Sequence, residues 1–249
     1  MKVSIITATY NSEDTIETCM HSVIMQTHEN IEYIIIDGKS TDRTLSKINL
    51  LAKNRANIRV FSEQDTGIYD ALNKGITKST GDIVGFVHSD DFLADSNVIE
   101  KIVEVFKSQN VDGVYGNLHY VALNDTNKVI RNWVSKTFKT KLLKQGWMPA
   151  HPTLYLKKEL YNLSGRFDLS YKIAADYDFI LRIFKQNELK FFYLPTVIVK
   201  MRVGGASNRS LKNIIQKTKE DYRAIKKNQT GNWITIIVKN FSKIKQFLT

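Results

Sequence analysis

At 249 residues, 43% of them hydrophobic and 10% aromatic, the chain can bury one sizeable core, which excludes a disordered or low-complexity protein. The single cysteine, Cys19, excludes an internal disulfide and, set among apolar neighbours in a helical pattern, reads as an inert core thiol of a reducing compartment. No apolar run approaches the roughly 18 residues of a membrane span, and the apolar run in the opening MKVSIITATYNSED is too short for a secretory h-region, so a cytoplasmic protein is expected. The formal net charge is +11 and sits mostly in the tail, where residues 201–249 carry 11 Lys or Arg against only Glu220 and Asp221. Such a field predicts an anionic surface or polyanion as partner, or else a solvated basic face.

In chain order, Lys2 to Ala8 reads as a strand, and Asn11 or Ser12 caps a helix that turns Ile16, Cys19 or Met20, Val23 and Ile24 inward. Ile31 to Ile36 is a second buried strand, ended by Asp37-Gly38, and TDRTLSKINLLAK is a second helix. Asn57 to Ser62 gives a third strand and IYDALNKGITKS a third helix. The stretch GDIVGFVHSDDFL then supplies a fourth strand ending in two adjacent carboxylates, Asp90 and Asp91. This β-α-β-α-β-α-β alternation predicts parallel strands in a doubly wound α/β sheet.

Ligands of such a sheet bind outside the carboxyl ends of its strands. Thr7, Thr9, Tyr10 and Asn11 lie at that edge after the first strand, Asp37 after the second, and Glu63 and Asp65 after the third. Asp37 suits a base N–H or ribose hydroxyls, because an ionised carboxylate only accepts; the other reading is a turn residue in Asp-Gly. Asp90 and Asp91 are placed to hold a divalent cation on phosphate oxygens, unless they merely cap the helix that follows. No GxGxxG or GxxxxGK follows the first strand, so the phosphate cradles of dinucleotide enzymes and P-loop ATPases are missing.

TATYNSEDTIETCMHSV, IIIDGKSTDRT, SEQDTGIYDALNKGI and GDIVGFVHSDD, in this order and spacing, resemble the successive signatures of family 2 glycosyltransferases of the GT-A fold. GIYDALNKG resembles in particular the branch that builds bacterial exopolysaccharides such as colanic acid. The resemblance implies a GT-A, Rossmann-like, mixed but mostly parallel sheet flanked by helices. It also implies a nucleotide-sugar donor, with UDP favoured, a Mg²⁺ or Mn²⁺ ion, and inversion at the anomeric carbon. By the same resemblance Asp37 reads the base with Thr9 and Asn11 beside it, Asp91 binds the metal, and Asp90 lies at the metal and the donor's ribose or sugar. Asp70 and Asn73 are donor contacts or a solvated helix face. The sequence departs from a strict DxD, since its two carboxylates are adjacent and preceded by His88 and Ser89. His88 replaces an asparagine and is expected as a hydrogen-bonded structural histidine.

In the second half, residues 95–109 read as a helix and GVYGNLHYVALN with VIRNWV as a hairpin. Of its aromatics Tyr115, Tyr120, Trp133 and Trp147, the last is expected to be exposed on the acceptor side because turn residues surround it. His151, ahead of Pro152 and a new strand, resembles the family's histidine-proline-threonine turn beside the acceptor. Asp176 matches the second position of the family's acidic pair, whose last member acts as base, while Ala175 stands at the first and Asp178 lies close enough to compete. Pro195 is expected to break the next stretch into two strands, and Gly204-Gly205 to form a flexible segment. Arg202 resembles the basic residue of a late loop, with Ser207, that closes over the diphosphate.

Residues 1–205 are read as one domain and residues 206–249 as a basic helical appendage. In its last helix Trp233 leads a stripe of Ile234, Ile237, Val238, Phe241, Ile244 and Leu248, with Lys239, Ser242, Lys243 and Gln246 elsewhere. That stripe either lies in an anionic membrane interface or packs on the domain. The whole predicts an inverting transferase acting on a saccharide or lipid-linked acceptor, at the inner membrane face. The rivals are a non-catalytic binder of nucleic acid or another polyanion, and a nucleotidyltransferase.

Overall fold

A computed structural model of the chain describes residues 1–203 and 211–242. The predicted Gly204-Gly205 segment, Ser207, the 205/206 boundary, and Lys243, Ile244, Gln246 and Leu248 lie outside the described residues.

The first half alternates as expected: β1 (Val3–Thr9), α1 (Ile16–Ile24), β2 (Ile31–Asp37), α2 (Thr44–Ala52), β3 (Ile58–Ser62), α3 (Ile68–Lys78) and β4 (Ile83–Phe86). β1 and β2 are buried along their whole lengths, because helices cover both faces of a parallel sheet. Thr15, not Asn11 or Ser12, precedes α1; Asn11 instead adopts φ 47° and lends its Oδ1 to Thr41 N. Asn and Gly tolerate such positive φ best.

After β4 the chain makes a sharp turn, closed by Asp91 N donating to His88 O at 2.9 Å, into a three-residue strand β5 (Asp91–Leu93). Asp91 therefore belongs to a strand, and neither carboxylate caps α4 (Val98–Ser108), which follows Asn97. The hairpin β6 (Gly113–Val121) and β7 (Val129–Trp133) is as read, followed by β8 (Tyr155–Lys157), α5 (Glu159–Leu163) and α6 (Ala175–Phe184). The expected break at Pro195 is absent. β9 (Phe191–Arg202) runs through it, and the parallel register with β6 slips between Tyr115 and Asn117, so the proline falls where no ladder bond is required.

The strand order is β3-β2-β1-β4-β8-β6-β9-β5, and β7 pairs off this path with the end of β6, Leu118 to Val121. The β3-β2-β1-β4 half is parallel, and β8 and β5 each pair antiparallel with their neighbours, giving the mixed, mostly parallel sheet. One apolar layer holds α1 and α4 on one face, and a second holds α3 and α6 on the other. Cys19 lies in the first layer, where burial pushes its thiol up to about 12, so it is inert at neutral pH.

The tail helices α7 (Leu211–Asn228) and α8 (Trp233–Ser242) are seated on the domain. Glu220 accepts from Lys172 N, Ile173 N and Ala174 N at 3.0, 2.8 and 2.9 Å, which caps the start of α6 from a distant helix. Asn228 donates to Asp178, and Lys227 pairs with Asp168 at 2.8 Å.

Candidate active site

The carboxyl ends of β1 and β4, the start of α3, the hairpin, the His151 turn, α6 and both tail helices enclose one cleft of about 2480 Å³. Of the residues singled out in the sequence, Thr9, Tyr10, Asn11, Asp65, Asp90, Trp147, His151, Asp176 and Arg202 line it together.

The others lie behind its wall. Thr7 is fully buried, and its hydroxyl donates to Val87 O at 2.7 Å, tying β1 to the end of β4. Asp37 is also fully buried. Its carboxylate accepts from Ser40 N, Ser40 Oγ and Ser62 Oγ, so it closes the β2 turn rather than facing the cleft. Asp70 accepts from Thr66 N at 3.0 Å and pairs with Lys74, capping α3 behind Gly67, whose φ of 133° only glycine adopts without strain. Asn73 spends its carboxamide on Phe167, accepting from N and donating to O. Glu63 points to Lys78 at 3.8 Å.

The turn after β2 packs tightly against the cleft residues Tyr10 and Asp65. Gly38 has no side chain, and a Cβ there would stand 2.5 Å from Asp65 Oδ2 and 3.5 Å from the Tyr10 ring. Tyr10 is 61% exposed, a flat aromatic face beside a carboxylate whose Oδ1 is already taken by Gly67 N.

At the centre, the turn after β4 separates the acidic pair. Asp90 faces the cleft, while Asp91 is fully buried with neither carboxylate oxygen hydrogen-bonded. Burial, then the neighbouring Asp90, raises Asp91 well above the usual carboxylate range, with Arg202 opposing. Arg202, 7% exposed, lies over the Phe92 ring at 4.9 Å and donates from Nη1 to Asp90 O at 2.8 Å, which holds the turn in place. A buried carboxylate without partners beside a second one fits a hard divalent cation that completes its shell with water and phosphate oxygens. Among the described residues no group of three His, Cys, Asp or Glu stands ready as a closed all-protein cage.

From the same turn, His88 begins a polar chain. His151 Nδ1 is 3.1 Å from Asp176 Oδ2, and His151 Nε2 is 3.3 Å from His88 Nε2. Burial, then the neighbouring His151, holds His88 at about 4, and burial lowers His151 against the pull of Asp176. Both rings are therefore neutral at neutral pH, and His151 reaches Asp176 with an N–H while its other nitrogen meets His88. On the other side Tyr69 OH stands 2.6 Å from Ile173 O and 3.1 Å from Asp176 Oδ1. Burial, then Asp176, raises the Tyr69 phenol well above its ordinary range, so it remains a donor. The competing Asp178 is fully buried and committed to Arg182 Nε at 2.9 Å and Asn228 at 3.0 Å.

Tyr69 was not singled out in the sequence, although its spacing from Leu72 and Ile76 marks the inward face of α3. Trp147, expected to be exposed, is half-buried. It stacks on Phe138 at 5.6 Å and meets Tyr115 and Phe184 edge-on, leaving part of its ring on the cleft. Tail residues Lys212, Gln216 and Lys217 also reach the lining, which the sequence did not announce.

Residues 4–161 match the model of Glycosyl transferase family 2, and the chain belongs to that family. It is 29% identical over 208 residues to a PGL/p-HBAD biosynthesis glycosyltransferase of Mycobacterium tuberculosis, covering 82% of this chain and 78% of that one. It is 28% identical over 231 residues to the chondroitin synthase of Pasteurella multocida, covering 92% of this chain and 23% of the synthase. Among solved structures it is similar to residues 1–349 of TarS from S. aureus in complex with UDP-GlcNAc. There the TM-score is 0.71 at 20% identity, over 92% of this chain and 65% of that one, slightly under two thirds of its length. The mannosyltransferase PcManGT of Pyrobaculum calidifontis, in complex with GDP-Man and Mn²⁺, gives 0.68 at 16% identity over 96% of this chain and 69% of its own. The protein is a glycosyltransferase with the GT-A fold. The rival readings as a nucleotidyltransferase or a non-catalytic polyanion binder fall with that membership.

Proposed function

We propose that the protein is an inverting, metal-dependent transferase that moves a sugar from a UDP-sugar onto a hydroxyl of a saccharide or lipid-linked saccharide, at the cytoplasmic membrane face, in surface polysaccharide or glycolipid synthesis. The observation that carries this reading is Asp176, held from both sides by Tyr69 and His151 on the same cleft that Asp90 lines.

In the reaction, the acceptor oxygen forms its bond to the anomeric carbon as its proton passes to an Asp176 oxygen. The bond from that carbon to the diphosphate breaks on the opposite face, and its electron pair leaves with the nucleotide. Asp91 and Asp90 would hold a Mg²⁺ or Mn²⁺ ion, which when bound supplies charge neutralisation to the leaving diphosphate. Arg202 adds a fixed positive charge on the same side.

For the donor, Tyr10 offers its exposed ring to the base and Asp65, on the same cleft wall, accepts the base N–H. With Oδ1 of Asp65 already engaged, one oxygen is left for one imide N–H, which matches uracil better than guanine. Thr9 and Asn11 contribute to the wall next to it. The cleft volume exceeds the ~300–1,000 Å³ of an ordinary ligand pocket, leaving room for an acceptor along Trp133, Trp147 and Tyr120. The relatives' roles in PGL/p-HBAD biosynthesis and as a chondroitin synthase support a glycolipid or polysaccharide acceptor.

The test is calorimetric titration of UDP and GDP, with and without Mn²⁺, into the wild type, Asp91→Ala and Asp176→Asn. The reading expects metal-dependent UDP binding that Asp91→Ala loses and Asp176→Asn keeps. Equal binding with and without metal, or binding that survives Asp91→Ala, would overturn the donor side.

A further inference from the structure

Helix α8 is seated inside out. Its buried positions are Thr235 and Lys239, at 3% and 4% exposure, while Trp233, Ile234, Ile237 and Phe241 are 61, 50, 43 and 66% exposed. The inward polar contacts are specific. Thr235 Oγ1 donates to Lys144 O at 2.9 Å, and Lys239 Nζ pairs with Asp221 at 2.8 Å over the Tyr177 ring. Gly146, at φ 70°, lets the helix come close, since a Cβ there would meet Lys239 Cβ at 2.6 Å. Burying an ammonium while leaving a Trp and a Phe in water is the reverse of what an amphipathic helix does against its own domain.

The neighbouring face of α7 continues the surface. Ile214, Ile215 and Tyr222 are 48, 57 and 38% exposed, and with Trp233 and Ile236 they line a shallow apolar groove of about 420 Å³. Exposed Lys212, Lys219 and Lys226 flank it, the last 6.0 Å from the Tyr222 ring. The two acids of the tail, Glu220 and Asp221, are both 4% exposed and turned into the protein. Among the described residues of the tail the outer face is therefore apolar and cationic, with no carboxylate to oppose an anion.

We infer that the α7–α8 face docks on an anionic lipid bilayer, with Trp233, Ile234 and Ile215 entering the headgroup region and Lys212, Lys219 and Lys226 meeting the lipid phosphates. The charge complementarity selects this occupant: a broad apolar stripe flanked by lysines is the pattern of an interfacial helix, and a protein partner would have to leave the stripe's lysines matched one by one. Ile237, Val238 and Phe241 lie on both this face and the rim of the cleft, so docking sets the cleft mouth against the lipid surface. Docking itself does not rest on the proposed reaction.

The experiment is co-sedimentation of the full chain with vesicles of phosphatidylcholine alone and of equimolar phosphatidylcholine and phosphatidylglycerol, at low and high salt, for the wild type and an Ile215→Ser/Trp233→Ser variant. Both substituted side chains are exposed and outside the cleft, so circular dichroism and thermal unfolding are expected to match the wild type. The wild type is expected to bind the anionic vesicles, less at high salt, and the variant to lose roughly tenfold or more of its partitioning. No binding to anionic vesicles at low salt overturns the inference. So does equal binding by the variant, which would mean adsorption by charge alone. A wild-type dimer in light scattering that the variant dissociates would assign the face to a second copy instead. The vesicles carry neither donor nor acceptor, so each outcome stands apart from the fate of the proposed reaction.

Discussion

His151 Nδ1 stands 3.1 Å from Asp176 Oδ2, and the same ring meets His88 through its other nitrogen at 3.3 Å. The imidazole therefore orients the carboxylate from one side while Tyr69 does so from the other. Asp176→Asn is expected to lower kcat by roughly 10²–10⁴-fold, with UDP binding unchanged. His151→Ala and Tyr69→Phe, which remove positioning and not the base, are expected to cost roughly tenfold each in kcat. Steady-state kinetics with calorimetry on the three variants checks the ranking; a His151→Ala loss equal to that of Asp176→Asn would instead make the histidine the base.

Asp91 sets function against stability. Its buried carboxylate has no partner and sits beside Asp90, so Asp91→Asn, which removes the charge but keeps a buried polar group, is expected to leave the metal-free protein at least as stable as the wild type. The same variant is expected to show no rise in Tm on adding Mn²⁺ with UDP, whereas the wild type rises. Thermal unfolding of both proteins with and without the pair of ligands reads both effects.

Glu32, 5% exposed on β2, supplies an acid-sensitive staple. Burial opposes its ionisation, but donors from Ser4, Thr80 and Arg59 outweigh it and hold the carboxyl at about 2, below its ordinary 4.5. Because the folded value is the lower, the stabilisation is present above pH ~4.5 and is lost as pH falls towards 2, about 3 kcal/mol in all. Urea unfolding at pH 7 and pH 3 should show Glu32→Gln less stable than the wild type at pH 7, with the gap shrunk to under half at pH 3.

Glu220→Ala strips three backbone N–H groups before α6 of their acceptor, at an expected cost of about 3 kcal/mol or more. Since Asp176 follows two residues after Ala174, kcat is expected to fall as well. Glu220→Gln, which keeps an acceptor, should recover part of both losses in unfolding and rate measurements.

The alternating first half was legible because strand and helix periods differ and turn residues separate them. β5 was not, since three residues carry no period, and with it went the fact that Asp91 points inward. The engagement of Asp37 with Ser40 and Ser62 was not legible either, since only the fold brings the three together. In GIYDALNKG the polar Asp70 and Asn73 drew attention, yet they serve the helix cap and Phe167, and the apolar-looking Tyr69 reaches the site. Over its described residues, Trp233 to Phe241, the stripe on α8 shares an exposed face; periodicity gives the two faces of a helix but not which of them the domain takes.

The capping of α6 by Glu220 also has a consequence in time. The acceptor for the N–H groups at residues 172–174 lies 46 to 48 residues further along the chain. During synthesis the sheet can assemble while the start of α6 still lacks its cap and the cleft its tail wall, so Asp176 is fixed in place only after α7 has left the ribosome and docked. On the proposed mechanism a chain ended before α7 would fail in transfer, and the helix proposed to face lipid would also be the one that completes the site.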